Sequence, residues 1–299
     1  MKRVMLFIVT NIAVLLVLSI VTSILGVDRW ITAQGLNYWA LLGFAAVFGF
    51  GGSIISLLMS KFIAKMAYSI QVIKEPRTEE ESWLFKTVED LAYTANIKMP
   101  EVGIYESPEA NAFATGPTRN NSIVAVSSGI MRQMNREQLK GVLAHEVSHV
   151  MNGDMVTMCL LQGVLNTFVI FLSRVVAFII DRALSKRDSD SEGVGIGYFV
   201  ATFVCQIIFS ILASLIVMAY SRHREFRADA DAARLCGNRR PMKSALEQLK
   251  NIAEHNGIID NRSEALASFK ISGVPKAMSL FSSHPPLEDR IEAVDKLVL

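Results

Sequence analysis

A chain of 299 residues with 30 Lys and Arg against 28 Asp and Glu has a net charge of only +2, too little to mark a nucleic-acid binder, so none is expected as a partner. Hydrophobic residues make up 51% of it, which excludes an ordinary water-soluble surface over the whole length and predicts membrane spans beside a polar domain. Cys159, Cys205 and Cys236 show no CxxC and no paired spacing, so they read as free thiols in a reducing compartment.

Met1-Lys2-Arg3 precedes an uncharged run, about 4–27, long enough to cross a bilayer. A cleaved signal peptide also starts with basic residues, but this run exceeds a usual hydrophobic core, and Ser23-Ile24-Leu25 ends wrongly for cleavage. A retained anchor is expected. A second span is expected at about 36–60, where Gly43, Gly49, Gly51 and Gly52 suit close helix packing in lipid. Lys61, Lys65, Lys74 and Arg77 follow, and the loop between the two runs carries no net charge. The positive-inside rule then puts Met1 and the chain after Lys61 in the cytoplasm. Residues 1–63 form the expected membrane anchor.

Thr78 to Glu81 reads as a capping box, and Trp83, Leu84, Val88, Leu91 and Ala92 continue as a helical stripe. Val102, Ile104 and Tyr105 read as a strand, as do residues 122–127. Between them Asn111-Ala112-Phe113-Ala114-Thr115-Gly116 is a short piece that ends in Gly-Pro. Asn135 with Gln138 then opens an amphipathic helix with apolar residues at 139, 142, 143, 147 and 150, stopped by Gly153. A few strands followed by this helix make an α+β pattern.

That helix carries His145-Glu146-Val147-Ser148-His149. Residues four apart share one helix face, so His145 and His149 can grip one zinc ion, and Glu146 beside them can serve as general base on an attacking water. After Asp154 come two more apolar runs, about 155–180, interrupted by Arg174, and about 193–221. Together they are expected to form a transmembrane hairpin, residues 155–221, with Arg174 snorkelling to the interface. Such a hairpin returns the chain to the cytoplasm at Arg222-His223-Arg224, beside the end of the zinc helix. Residues 64–154 and 222–299 are then one cytoplasmic domain. Helices are expected at 229–235 and 244–254, and a last one at 287–297 after Pro285-Pro286.

Two histidines leave zinc one protein ligand short of a catalytic site. Asn152 occupies the glycine position of the longer metzincin pattern, and no histidine follows nearby. Glu225 and Asp229 share a helix face in Glu225-Phe226-Arg227-Ala228-Asp229. One of them can bind zinc while the other holds a ligand histidine by its second ring nitrogen.

Four stretches together, Asn111 to Gly116, His145 to His149, Glu225 to Asp229 and Ser283-His284-Pro285-Pro286-Leu287-Glu288-Asp289-Arg290, resemble the HtpX family over nearly the whole chain. These are bacterial membrane-bound heat-shock zinc metalloproteases, related to CAAX prenyl proteases. The resemblance implies a gluzincin-like core with zinc on His145, His149 and Glu225, one ion per chain, and Glu146 as catalytic base. It implies an edge strand at Asn111, Ala112 and Phe113 that takes an extended peptide, although Asn and Gly equally favour an ordinary turn. It implies that His284 meets a developing oxyanion. Arg290 reads as structural, tying the last helix to an acidic partner. The implied substrates are misfolded or damaged membrane proteins, cut at the cytoplasmic face of the bacterial inner membrane during stress, with self-cleavage as a hazard. Two rivals stand beside this reading. An intramembrane zinc protease would bury its zinc helix in a span, whereas Arg136, Glu137, Lys140, Asn152 and Asp154 flank this one. A non-catalytic zinc-binding membrane scaffold would not need Glu146.

Overall fold

The computed structural model describes residues 37–184, 196–256 and 284–298, with Ile20, Ser23 and Ile24. The expected first span, apart from those three residues, lies outside them. In chain order the elements are α1 (Tyr38–Ala67), β1 (Gln71–Val72), α2 (Glu79–Thr94), β2 (Glu101–Tyr105), β3 (Ala112–Thr118), β4 (Asn121–Ser127), α3 (Ser128–Gln133), α4 (Arg136–Asn152), α5 (Asp154–Leu184), α6 (Ile196–Leu235), α7 (Arg240–Asn256) and α8 (Leu287–Asp295). The fold is mainly helical with one small sheet, an α+β arrangement as expected. The chain divides into two compact units, one of Met1–Ser56 and Cys159–Ile216, the other of Leu57–Met158 and Val217–Leu299.

Among the described residues three helices, α1, α5 and α6, are long and apolar enough to cross a membrane. Arg174 does not interrupt α5. Its guanidinium donates to Ile170 O at 3.1 Å and lies 4.9 Å from the Phe44 ring centroid. The first unit packs Tyr38, Leu41, Leu42 and Ala45 of α1 against Phe171, Val175 and Phe178 of α5. Of the α1 glycines only Gly49 makes the close approach expected of them: a Cβ there would lie 2.4 Å from Thr167 Oγ1. Gly43, Gly51 and Gly52 face open space. Nearby, Cys159 donates to Ser53 O and Asn166 to Ser53 Oγ. All three cysteines are free thiols.

In the second unit the sheet order is β1-β2-β4-β3. The β1–β2 and β3–β4 pairs are antiparallel and β2–β4 is parallel. The 112–118 piece is therefore a strand, and it lies at the edge. Strand alternation sends Val102, Ala112, Val124 and Val126 into the main core with α2, α4, α7 and α8. Phe113, Tyr105 and Ala125 go into a smaller cluster with Ala64 of α1. The cap of α2 differs from a full capping box. Thr78 accepts from Glu81 N at 3.1 Å, but the Glu81 carboxylate accepts from Arg77 N rather than Thr78 N.

Helix α4 has the full Asn135–Gln138 capping box at its start, and Gly153 stops it in the left-handed conformation at φ 63°. The expected amphipathic character fails beyond its first turns, because every residue from Gly141 to Val150 is buried. The sheet covers one side and α7 another. Gly141 permits that crossing, since a Cβ there would sit 2.3 Å from Pro241 O. The expected short helix at 229–235 is instead the end of α6, which runs unbroken from Ile196. No residue between Ser221 and Asp229 is a helix breaker, so the apolar helix continues into the polar sequence.

Candidate metal centre

Helix periodicity puts His145 and His149 on one face of α4, and their Nε2 atoms meet at 3.1 Å. Glu225 of α6 faces both. Its Oε2 is 3.3 Å from His145 Nε2 and its Oε1 3.3 Å from His149 Nε2. One ligand atom from each of the three lies within 4.8 Å of the others, and all three residues are buried. The structure thus joins two stretches separated by α5 and most of α6.

Each imidazole is held from behind. His145 Nδ1 is 2.8 Å from Asp229 Oδ1, and His149 Nδ1 is 2.6 Å from Asp154 Oδ2. With Nδ1 donating to a carboxylate, Nε2 carries the lone pair. Two imidazole lone pairs and a carboxylate then converge on one point, an arrangement that repels itself unless a cation fills it. Glu225 Oε1 is buried with no hydrogen-bond partner, as a ligand oxygen awaiting a metal would be. Burial opposes charge on His145, but Asp229 and Glu225 outweigh it and lift its pKa to about 10. Burial likewise opposes charge on His149, and Glu225 and Asp154 raise its pKa all the same.

The charge count points the same way. Glu146, Asp154, Glu225 and Asp229 are buried in this cluster. The guanidiniums facing them are Arg290 and Arg224, the latter 3.6 Å from Glu225 Oε1 and 4.0 Å from Asp154 Oδ2. Four carboxylates against two guanidiniums leave two positive charges to be supplied, by protons on His145 and His149 or by a divalent ion that displaces those protons. Nitrogen and carboxylate donors in this number suit zinc.

Glu146 follows His145 on α4 and is itself buried. Burial raises its pKa, with His145 and His149 opposing the rise. The acidic partner of Arg290 is Asp229, gripped at 2.8 Å by Nε and 2.7 Å by Nη2, both side chains buried. His284 donates Nδ1 to Glu225 Oε2 at 2.8 Å, so it stands beside the third ligand. Asn111, just before edge strand β3, is buried; Ala112, the first residue of β3, joins the core that contains α4, while Phe113 points to the opposite face of the sheet.

Sequence reasoning missed Asp154, taking it only as a polar boundary. Its signal was the Gly153 cap, which turns the chain so that the next residue lies beside the last turn of α4. It also missed Arg224, whose only signal was adjacency to Glu225.

Comparison with known proteins agrees with this chemistry. Peptidase family M48 matches residues 78–298. A protease HtpX homolog of Methylacidiphilum infernorum is 55% identical over 298 residues, covering 99% of each chain. Another, from Janthinobacterium, is 54% identical over 297 residues, covering 99% of this chain and 100% of its own. The crystal structure of S. mikatae Ste24p superposes with a TM-score of 0.60 at 18% identity, covering 94% of this chain and 66% of that one, a likeness of fold alone. A family match over most of the chain, end-to-end identity above one half and a buried His-His-Glu cluster make this chain a member of peptidase family M48, an HtpX-type multi-pass membrane zinc metallopeptidase.

Proposed function

We propose that this enzyme is an endopeptidase that cuts misfolded or damaged membrane proteins at the cytoplasmic face of the bacterial inner membrane, as quality control under stress. The observation that carries the reading is the convergence of His145 Nε2, His149 Nε2 and the Glu225 carboxylate, with both Nδ1 atoms tethered to carboxylates. These three residues hold one zinc ion per chain, with Asp229 and Asp154 orienting the imidazoles. Bound zinc supplies Lewis acidity, polarising the scissile carbonyl and bringing the pKa of water to about 7. Glu146 takes the proton of the attacking water and passes it to the leaving amine. Its buried position strengthens it as a base, because desolvation disfavours the carboxylate form.

An extended peptide pairs with the outer edge of β3 through main-chain bonds, which fixes a scissile bond while demanding little of sequence. Asn111, Ala112 and Phe113 supply that strand, and His284, when both ring nitrogens carry protons, keeps Nδ1 on Glu225 and donates Nε2–H to the developing oxyanion. Such tolerance suits a clearance enzyme and extends to the enzyme's own cytoplasmic loops, the origin of self-cleavage. Residues 1–63 and 155–221 anchor the protein in the bilayer, and 64–154 with 222–299 form the cytoplasmic catalytic domain. Lys61, Lys65, Lys74 and Arg77 after the second span support that orientation.

The test uses the full chain reconstituted in vesicles of both orientations, with casein added outside. Wild type should cut casein only in vesicles that expose the cytoplasmic face. Glu146→Gln should keep its zinc and lose activity by about 10²–10⁴-fold. Equal cutting by Glu146→Gln would remove the base assignment, and cutting in the opposite vesicles would reverse the orientation.

A further inference from the structure

The last three turns of α1, from Leu57 on, belong to the second unit and have two unlike faces. Leu58, Met59, Phe62, Ile63 and Met66 share one face at helical spacing, and each is between 43% and 65% exposed. Lys61, Ala64 and Lys65 share the other face, which meets the sheet. Lys61 Nζ is 2.8 Å from Glu101 Oε1 and donates to Asn121 Oδ1 at 2.9 Å, and Lys65 pairs with Glu101 as well. Ala64 and Tyr68 pack with Tyr105 and Phe113. The exposed apolar face continues the uncharged run that ends at Ser60, so lipid covers it. The headgroup level along α1 therefore lies between Lys61 and Met66, with the lysines turned away from the hydrocarbon toward the sheet.

This level fixes where β3 stands. The end of β3 and its turn into β4 lie at the headgroups, because Thr118 is in register with Asn121 and Asn121 is bonded to Lys61. The start of β3 lies further from the bilayer. There the Phe113 ring centroid is 5.1 Å from that of Tyr68, which follows α1 about 10 Å beyond Lys61. Ala112, beside Phe113, joins the core cluster of Ala144 and Val147, which flank His145-Glu146 on α4. β3 is the last strand in the sheet order, and among the described residues its outer edge pairs with no other strand. Regular strand addition extends from Ala112 to Thr115, because the register shifts between Thr115 and Thr118 and Pro117 offers no N–H.

We infer that β3 is a guide from the bilayer surface to the metal centre: a substrate chain leaving its own membrane span enters at the Thr118–Asn121 turn, lies along β3 and is cut at a short fixed distance from that span. The distance is the length of β3, seven residues and about 20 Å from end to end. The cut therefore falls about five to eight extended residues from the substrate's span. Glu101 and its two lysines set the height, since they tie the bilayer end of the sheet to α1. The inference rests on the proposed reading of the chain as a peptide-cutting enzyme at the cytoplasmic face. It goes beyond that reading by naming the part of a membrane protein that is cut, the segment next to the bilayer.

The test substrates are one apolar span joined to a long uniform cleavable repeat, placed after the span in one and before it in the other, because β3 has a single direction. Each is reconstituted in vesicles with the full-length enzyme, and the cut sites are mapped by mass spectrometry. In at least one of the two, cuts should cluster about five to eight residues from the span, whereas the free repeat peptide should be cut along its whole length. Glu101→Gln removes both ion pairs, which are partly exposed and add little to stability. It should broaden the cluster while kcat/KM on casein stays within about twofold of wild type. Asn121→Ala, which removes the other tie of Lys61, should broaden it too. Cuts spread evenly along both tethered repeats, or a cluster that both variants leave unchanged, would overturn the inference. Failure of wild type to cut casein, or undiminished cutting by Glu146→Gln, would instead strike the reading of the site itself.

Discussion

Replacing Arg290 with Met tests whether the last helix belongs to the metal centre. The guanidinium is completely buried and grips both oxygens of Asp229, which is itself 1% exposed. Met fills much of the same volume but strands a carboxylate in the core. Breaking a buried pair by removing one partner costs about 3–5 kcal/mol. For a cooperative unit of roughly 150–250 residues each kcal/mol moves Tm by about 2–4 °C, so the loss should be about 6–20 °C. The stranded Asp229 also no longer holds His145 Nδ1 in a fixed direction. Zinc affinity should then fall by about 10–100-fold, as for other residues that orient a metal ligand. Thermal unfolding of the detergent-solubilised protein after chelation reads the first effect, and zinc titration against a competing chelator reads the second. Adding Asp229→Asn removes the stranded charge and should recover more than half of the lost stability, a non-additive result that marks direct coupling. Arg290→Met unfolding within about 3 °C of wild type, with unchanged zinc affinity, would refute the reasoning.

Asp154→Asn removes the charge behind His149 Nδ1 and should weaken zinc binding by about 10–100-fold in the same competition titration, with little change in the stability of the chelated protein. Gly49→Val should destabilise the α1–α5 pair by about 1–3 kcal/mol, because the added carbons meet the Thr167 backbone as well as its side chain. Gly51→Val, where a Cβ meets nothing within 4 Å, is the control, and resistance of the two variants to unfolding in SDS separates them.

The sequence exposed whatever is encoded locally. The capping box at Asn135, the spacing of His145 and His149 and the stop at Gly153 all lie within one helix, so a window of twenty residues contains them. Glu225 was within reach because the Glu225–Asp229 pair has its own helical spacing. Asp154 and Arg224 were not, because Asp154 reaches His149 only through the turn at Gly153, and Arg224 reaches Asp154 only from another helix. The sheet order was equally hidden. Placing β4 between β2 and β3 depends on a parallel pairing with no tight turn to announce it.

The same distinction explains why the buried face of α4 was misjudged. Amphipathic spacing predicts one covered side, yet a helix that carries a metal centre must be covered on every side that bears a ligand. His145 and His149 point toward α6, Leu139 and Val142 join the main core, and Gly141 admits α7. Three neighbours around one helix leave no solvent face in its second half, and the two histidines are tolerated there because each faces a carboxylate from both ring nitrogens. Replacing any one of Asp154, Asp229 or Arg290 therefore disturbs a closed set of charges, and the metal is the member of that set supplied from outside the chain.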